Sequence, residues 1–65
     1  MKIQLNGELH ETASATISAL LEELRLDGQW VVVERNLTVP DKASWDRTAI
    51  EEGDQIEIVR FLGGG

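Results

Sequence analysis

The chain has 65 residues, 42% of them hydrophobic, with six basic residues against twelve acidic, a net charge of −6 and no cysteine. That length is one small domain, and so short a chain buries only about 60% of its unfolded surface, so its core is marginal. The charge has the wrong sign for a phosphate backbone or an anionic membrane, so neither nucleic acid nor membrane is an expected partner and a basic protein surface is; the lack of cysteine removes disulfides, thiolate metal sites and a cysteine nucleophile.

"MKIQLNGELHET" reads as a hairpin. Met1, Ile3 and Leu5 alternate with Lys2 and Gln4, the period of a half-buried strand. Asn6-Gly7 is a strong tight-turn signal, because both residues tolerate φ > 0. A second strand is expected near residues 8–12. In "ATISALLEELRLDG", Ile17, Leu20, Leu21 and Leu24 fall at i, i+3, i+4 and i+7, one apolar helical stripe. Ser14 or Thr16 can cap its start. Asp27-Gly28 is expected to close it, with Gly28 left-handed. Glu22 and Glu23 lie off the stripe and read as solvated.

"QWVVVERN" has the β-branched character of a central strand, ended by Asn36. Pro40 breaks the ladder, and a loop or helical turn follows. "RTAI" reads as a brief strand, residues 52–54 as a turn, and "QIEIVRF" as the last strand, with Ile56 and Ile58 on one face. The order is strand, strand, helix, strand, short strand, strand. It predicts an α+β layer arrangement of the β-grasp type, a mixed sheet of four to five strands with one main helix on one face. There the last strand lies beside the first, parallel to it, in the middle of the sheet. No apolar run reaches the length of a signal peptide or a membrane span, so the expected location is cytoplasmic. The expected division is a body of residues 1–62 and a flexible glycine tail of residues 63–65.

The side chains offer little chemistry. His10 is the sole histidine, and a metal site needs more ligands. Asp41, Asp46, Glu51, Glu52 and Asp54 fall in loops and turns, where solvated charge is expected; acid–base work needs a carboxylate held in a pocket. Ser14, Thr16 and Ser18 surround a helix start. The glycine cluster does not lie between a strand and a helix, so it is no phosphate loop. What remains is Gly63-Gly64-Gly65. Three extended residues reach about 10 Å, and without Cβ atoms they can thread a narrow channel. A carboxylate at the end of such an arm becomes a good electrophile once condensed with ATP. Nothing in the chain binds ATP, so a partner enzyme must.

The motifs "IQLNGE", "TISALLEEL", "VVVERN", "VP" followed by a tryptophan, and "EGDQIEIVRFLGGG" make the whole chain resemble the ThiS family of sulfur carrier proteins of thiamine biosynthesis, which are ubiquitin-like β-grasp proteins. Asp41-Lys42 departs from the pattern, since many relatives have a basic residue straight after the proline. The resemblance implies a carrier, not an enzyme. A ThiF-type adenylyltransferase using ATP and Mg2+ would adenylate the Gly65 carboxylate, so this chain itself binds no cofactor. A sulfur donor such as a cysteine desulfurase would convert the adenylate to a thiocarboxylate. Thiazole synthase (ThiG) would accept the sulfur. The small subunit of molybdopterin synthase and a ubiquitin-like protein modifier share the Gly-Gly ending and stay open as alternatives.

The last strand carries one more expectation. Gln55, Glu57, Val59 and Phe61 share the face opposite Ile56 and Ile58, and that face turns from polar to apolar toward the tail. A solvent face has no reason to do so, whereas a docking face has. Val59, Phe61 and Leu62 are therefore expected at the heart of a partner interface, ringed by acidic residues that meet basic ones. The alternative is that Phe61 is core.

Overall fold

A computed structural model describes residues 1–61. Leu62, Gly63, Gly64 and Gly65, and with them the boundary drawn between body and tail, lie outside the described residues. The elements are β1 (Lys2–Leu5), β2 (Glu8–Glu11), α1 (Ile17–Glu23), β3 (Val31–Arg35) and β4 (Gln55–Arg60). Two 3-10 turns, Gly28–Trp30 and Lys42–Ser44, lie in the connections. The strand order is β2-β1-β4-β3. β4 runs parallel to β1 and antiparallel to β3, so first and last strands meet in the centre, as the β-grasp pattern predicts. The "RTAI" segment does not make a fifth strand: it contributes a single bridge, Thr16 to Ala49.

Alternation on the strands and the stripe on α1 meet in one core. Ile3, Ile17, Leu20, Val31, Val33 and Ile56 are each at most 1% exposed, with Leu21, Trp45, Ile50 and Ile58 buried beside them. Burying each such side chain contributes about 1.5–3 kcal/mol, which is what a chain this short needs. Leu5, Leu24 and Leu26 pack partly buried against the rim of this core.

Thr16 is the helix cap: its hydroxyl accepts from the Ala19 N–H at 3.1 Å. The helix ends earlier than its stripe. Leu24 is the cap residue, Arg25 takes the left-handed conformation at φ 57, and the Leu26 N–H bonds the Leu21 carbonyl. Gly28 is therefore not the left-handed terminator. Asp27 instead caps the 3-10 turn through the Gln29 N–H. Space is tight at Gly28, where a Cβ would stand 3.0 Å from the Trp45 ring.

Two asparagine turns hold β4 in place. Asn6 and Gly7 have φ of 50 and 82 and join β1 to β2. The Asn6 side chain reaches across to β4, accepting from the Ile58 N–H at 2.7 Å and donating to the Ile58 carbonyl at 3.3 Å. It thus continues the ladder where β1 has already turned away. Asn36 and Leu37, at φ 50 and 70, make a second turn closed by Arg35 and Thr38, whose backbones bond each other. The Asn36 side chain accepts from the Gln55 N–H at 2.9 Å, at the other end of β4.

Candidate functional site

The two faces of β4 differ as its alternation requires. Ile56 and Ile58 are buried under the helix. Gln55, Glu57 and Val59 are exposed on the far side, and Phe61 just past the strand is exposed too. Val59 is 55% exposed and Phe61 53%, so Phe61 is not core. The register of β3 against β4 sets Glu34 opposite Glu57 and Val32 opposite Val59. The Phe61 N–H bonds the Trp30 carbonyl at 2.7 Å, which carries the pairing one step further and brings two aromatic residues together. The outer face of the β3–β4 pair therefore changes along its length: an acidic row, then a valine row, then an aromatic row.

Beyond the aromatic row lies an open groove of about 450 Å³ between the end of the sheet and the end of the helix, lined by Arg25, Leu26, Asp27, Trp30, Val31, Arg60 and Phe61. Trp30, 52% exposed, was not singled out by the sequence reading. The signal was present: Trp30 and Val32 alternate with the core residues Val31 and Val33, just as Phe61 and Val59 alternate with Ile58. The charge around this patch is mixed: Glu34 and Glu57 face each other on one side, and Arg25, Asp27 and Arg60 line the groove on the other.

Three acidic residues expected to be solvated or idle belong to built networks or stand apart from them. Asp54 is buried at 6% exposure. It accepts from Arg35 Nε at 2.8 Å, from Asn36 Nδ2 at 3.0 Å and from the Glu51 N–H at 2.8 Å. Burial by itself pushes the Asp54 carboxyl up, but the hydrogen bonds from Asn36, the Glu51 N–H and Arg35 outweigh it and hold the group below its ordinary range. Glu23, near the end of α1, accepts from the Thr12 and Ser14 hydroxyls and contacts His10 Nε2 at 2.8 Å. The Thr12 hydroxyl first, then Ser14 and His10, lower its carboxyl to about 2. Ser14 thus serves Glu23 rather than the helix cap, and His10 is a link between β2 and α1. Glu22 remains exposed. The Asp54 network is enclosed, whereas the Glu23 network lies at the surface, with the Glu23 side chain 33% exposed. Among the described residues no group of three or more His, Cys, Asp or Glu is placed to hold a metal ion. Nor is any described helix long and apolar enough to cross a membrane.

The described residues thus present an exposed apolar strand end at Val59 and Phe61. The ThiS family model matches residues 3–65. The chain belongs to the ThiS family. A sulfur carrier protein ThiS of Bacillus subtilis is 37% identical over 97% of this chain and 98% of its own length. The crystal structure of a thiamine biosynthesis protein ThiS from Geobacter metallireducens superimposes with a TM-score of 0.83, at 30% identity, over 100% of both chains. A thiazole synthase of Paramagnetospirillum magneticum is 48% identical across 100% of this chain. The chain spans only about a fifth of the length of that thiazole synthase and of a second one from Magnetococcus marinus.

Proposed function

We propose that this ThiS-family protein is a sulfur carrier for thiazole formation in thiamine biosynthesis. The observation that carries the reading is the family match over residues 3–65, which takes in the glycine tail, together with the whole-length similarity to the Bacillus sulfur carrier. The thiazole synthase relatives, which contain a stretch like this whole chain, favour thiazole synthase as the acceptor of the sulfur.

In this reading the carboxylate of Gly65 attacks the α-phosphorus of ATP in a partner adenylyltransferase that holds Mg2+. Pyrophosphate leaves and an acyl-adenylate forms. The persulfide of a sulfur donor such as a cysteine desulfurase then attacks the acyl carbon and expels AMP, giving an acyl disulfide, and a second thiol reduces that S–S bond, becoming a disulfide itself and leaving the thiocarboxylate. The carrier's own part is positional. β4 is fixed on both sides by strands and by Asn6, and Val59, Phe61 and Leu62 give the partner a grip close to the reacting carboxylate. Glycines at 63 and 64 offer no Cβ to block a channel.

Intact mass spectrometry tests this. After incubation with ATP, the adenylyltransferase and a sulfur donor, the mass should rise by one oxygen-to-sulfur exchange, localised to the peptide that holds Gly65. A modification on any side chain instead overturns the reading. Gly64→Val should abolish adenylation with no change in melting temperature.

A further inference from the structure

The groove beyond the aromatic row stands where the described chain stops: Phe61, the last described residue, is part of its lining. Arg60 reaches the groove from the helix-side face of β4, since its ladder partner is the buried Val31. Arg25 reaches it from the end of α1, in the left-handed conformation at φ 57. Neither arginine belongs to an ion pair among the described residues; those pairs are His10–Glu23, Arg35–Asp54 and Arg47–Asp46. The acid of the groove, Asp27, turns one oxygen to the Gln29 N–H. Two arginines against one aspartate leave the lining with an excess of positive charge in a chain of net charge −6. The carbonyls of Leu20, Leu21 and Glu22 at the end of α1 are taken by the N–H groups of Leu24, Leu26 and Arg25, which weakens the negative pole of the helix beside the groove.

We propose that this groove is a seat for the chain's own tail. Four residues, Leu62 to Gly65, follow Phe61. Extended, four residues span at most about 14 Å, enough to turn back over a cleft of about 450 Å³ that begins at their own root. Ile56, Ile58 and Arg60 take the helix-side positions of β4, and the same alternation gives position 62 to the groove side. There Leu26, Trp30 and Val31 offer an apolar wall. Three glycines permit the reversal, because they adopt positive φ at no steric cost. The chain then ends in a carboxylate, which a guanidinium can receive on two parallel hydrogen bonds. Arg25, across the groove from the sheet, is that partner, and Arg60 flanks it. The tail thus carries, in order, an apolar side chain, a hinge and an anion, matched to an apolar wall and a basic rim. An exposed ion pair is weak, so the seat biases the tail without locking it. In the carrier reading above, a seated tail is withheld from the adenylyltransferase until that enzyme displaces it. The seat itself does not depend on that reading.

The test compares the full chain ending in its carboxylate with the same chain ending in a carboxamide, by NMR. The carboxylate form should show nuclear Overhauser contacts from Gly64 and Gly65 to the Trp30 ring, and a displaced Arg25 Nε–H signal. The carboxamide form should lose both. Arg25→Gln should also lose the contacts, with the melting temperature unchanged, whereas Arg25→Lys should keep part of them. Lys2→Gln removes an equal charge from the other end of the sheet, beyond the pairing of Gln4 with Gln55, and should change nothing. High salt should act as the carboxamide does. Identical spectra for the carboxylate and carboxamide forms overturn the seat. Contacts that vanish on dilution would assign the groove to the tail of a second copy and overturn it too. With the adenylyltransferase of the same organism, Arg25→Gln should be adenylated with kcat/KM about threefold above the parent, the scale of a weak exposed ion pair. A value at or below the parent's overturns the restraint. A parent that is never adenylated sinks the carrier reading instead, while the contacts, read without any enzyme, still decide the seat.

Discussion

At its start, β4 is tied by side chains: Asp54 collects three hydrogen bonds, and Asn36 grips the Gln55 N–H. At its end, the same strand leads into Phe61, which lies about half exposed beside an equally exposed Trp30. The first end spends its polar groups on the fold and leaves nothing for a partner. The second leaves apolar surface in water, which stabilises nothing until something covers it. Within six residues the strand passes from anchoring to presentation, and this division lets one end be altered without the other.

Three substitutions probe that division, and a fourth sits apart from it. Asp54→Ala should have the largest effect. It leaves Arg35, the Asn36 amide and the Glu51 N–H without their acceptor, and since the Arg35 side chain is 26% exposed the loss should be about 2–3 kcal/mol, the cost of stranding part-buried hydrogen-bonding groups. Urea unfolding would show it, and a loss under about 1 kcal/mol would mean that the anchor is not one. Phe61→Asp, at the other end, should leave stability within about 0.5 kcal/mol, as for ordinary surface changes. It should nonetheless weaken binding of the adenylyltransferase by about 2 kcal/mol. Unfolding of this variant would erase the contrast between the ends. Asn6→Gly sits between them. Glycine keeps the positive φ, so the variant reports the two bonds to Ile58, worth about 1–2 kcal/mol together, and amide exchange at Ile58 should quicken.

The smallest effect is one of pH. The Glu23 carboxyl is held at about 2 against an ordinary 4.5. A lowered carboxylate adds stability that is complete above its unfolded value and is lost as pH falls through the folded one. The parent should therefore lose stability from about pH 4.5 down to about pH 2. Glu23→Gln should lose less over the same window, in unfolding curves taken at steps of pH. Equal slopes would mean that the hydroxyls of Thr12 and Ser14 do not hold the carboxylate in solution.

The two asparagine turns show what a sequence discloses. Asn6-Gly7 announces itself, because glycine is the residue that takes positive φ without strain. Asn36-Leu37 makes a turn with both φ positive as well, yet leucine in that position gives no warning, so only the end of a strand was visible there. Periodicity revealed the core stripe of α1 and the exposed face of β4, since both follow from spacing along one element. It could not reveal Asp54 or Glu23, whose partners lie on other segments: Arg35 is 19 residues from Asp54 and Thr12 is 11 from Glu23. The burial of Trp45, though not the residue itself, was invisible for a related reason. It stands in a connection without repeat, and only the assembled cluster of helix and sheet residues makes it core. The arginines at the groove escaped notice because Arg25 and Arg60 meet only once helix and sheet are assembled.

The central place of β4 also governs how the molecule is made. Ribosomes deliver β1, β2, α1 and β3 first, and β4 must then insert between β1 and β3, closing contacts such as Asn6 to Ile58 across 52 positions. Until it does, the nascent sheet has a gap where its middle should be, and two strand edges stand open. Such long-range closure is slow. A chain whose synthesis stops short of Arg60 cannot complete the sheet and is left to proteases. Quality control is thereby built into topology: a molecule that folds at all has already been translated as far as the doorstep of its glycines.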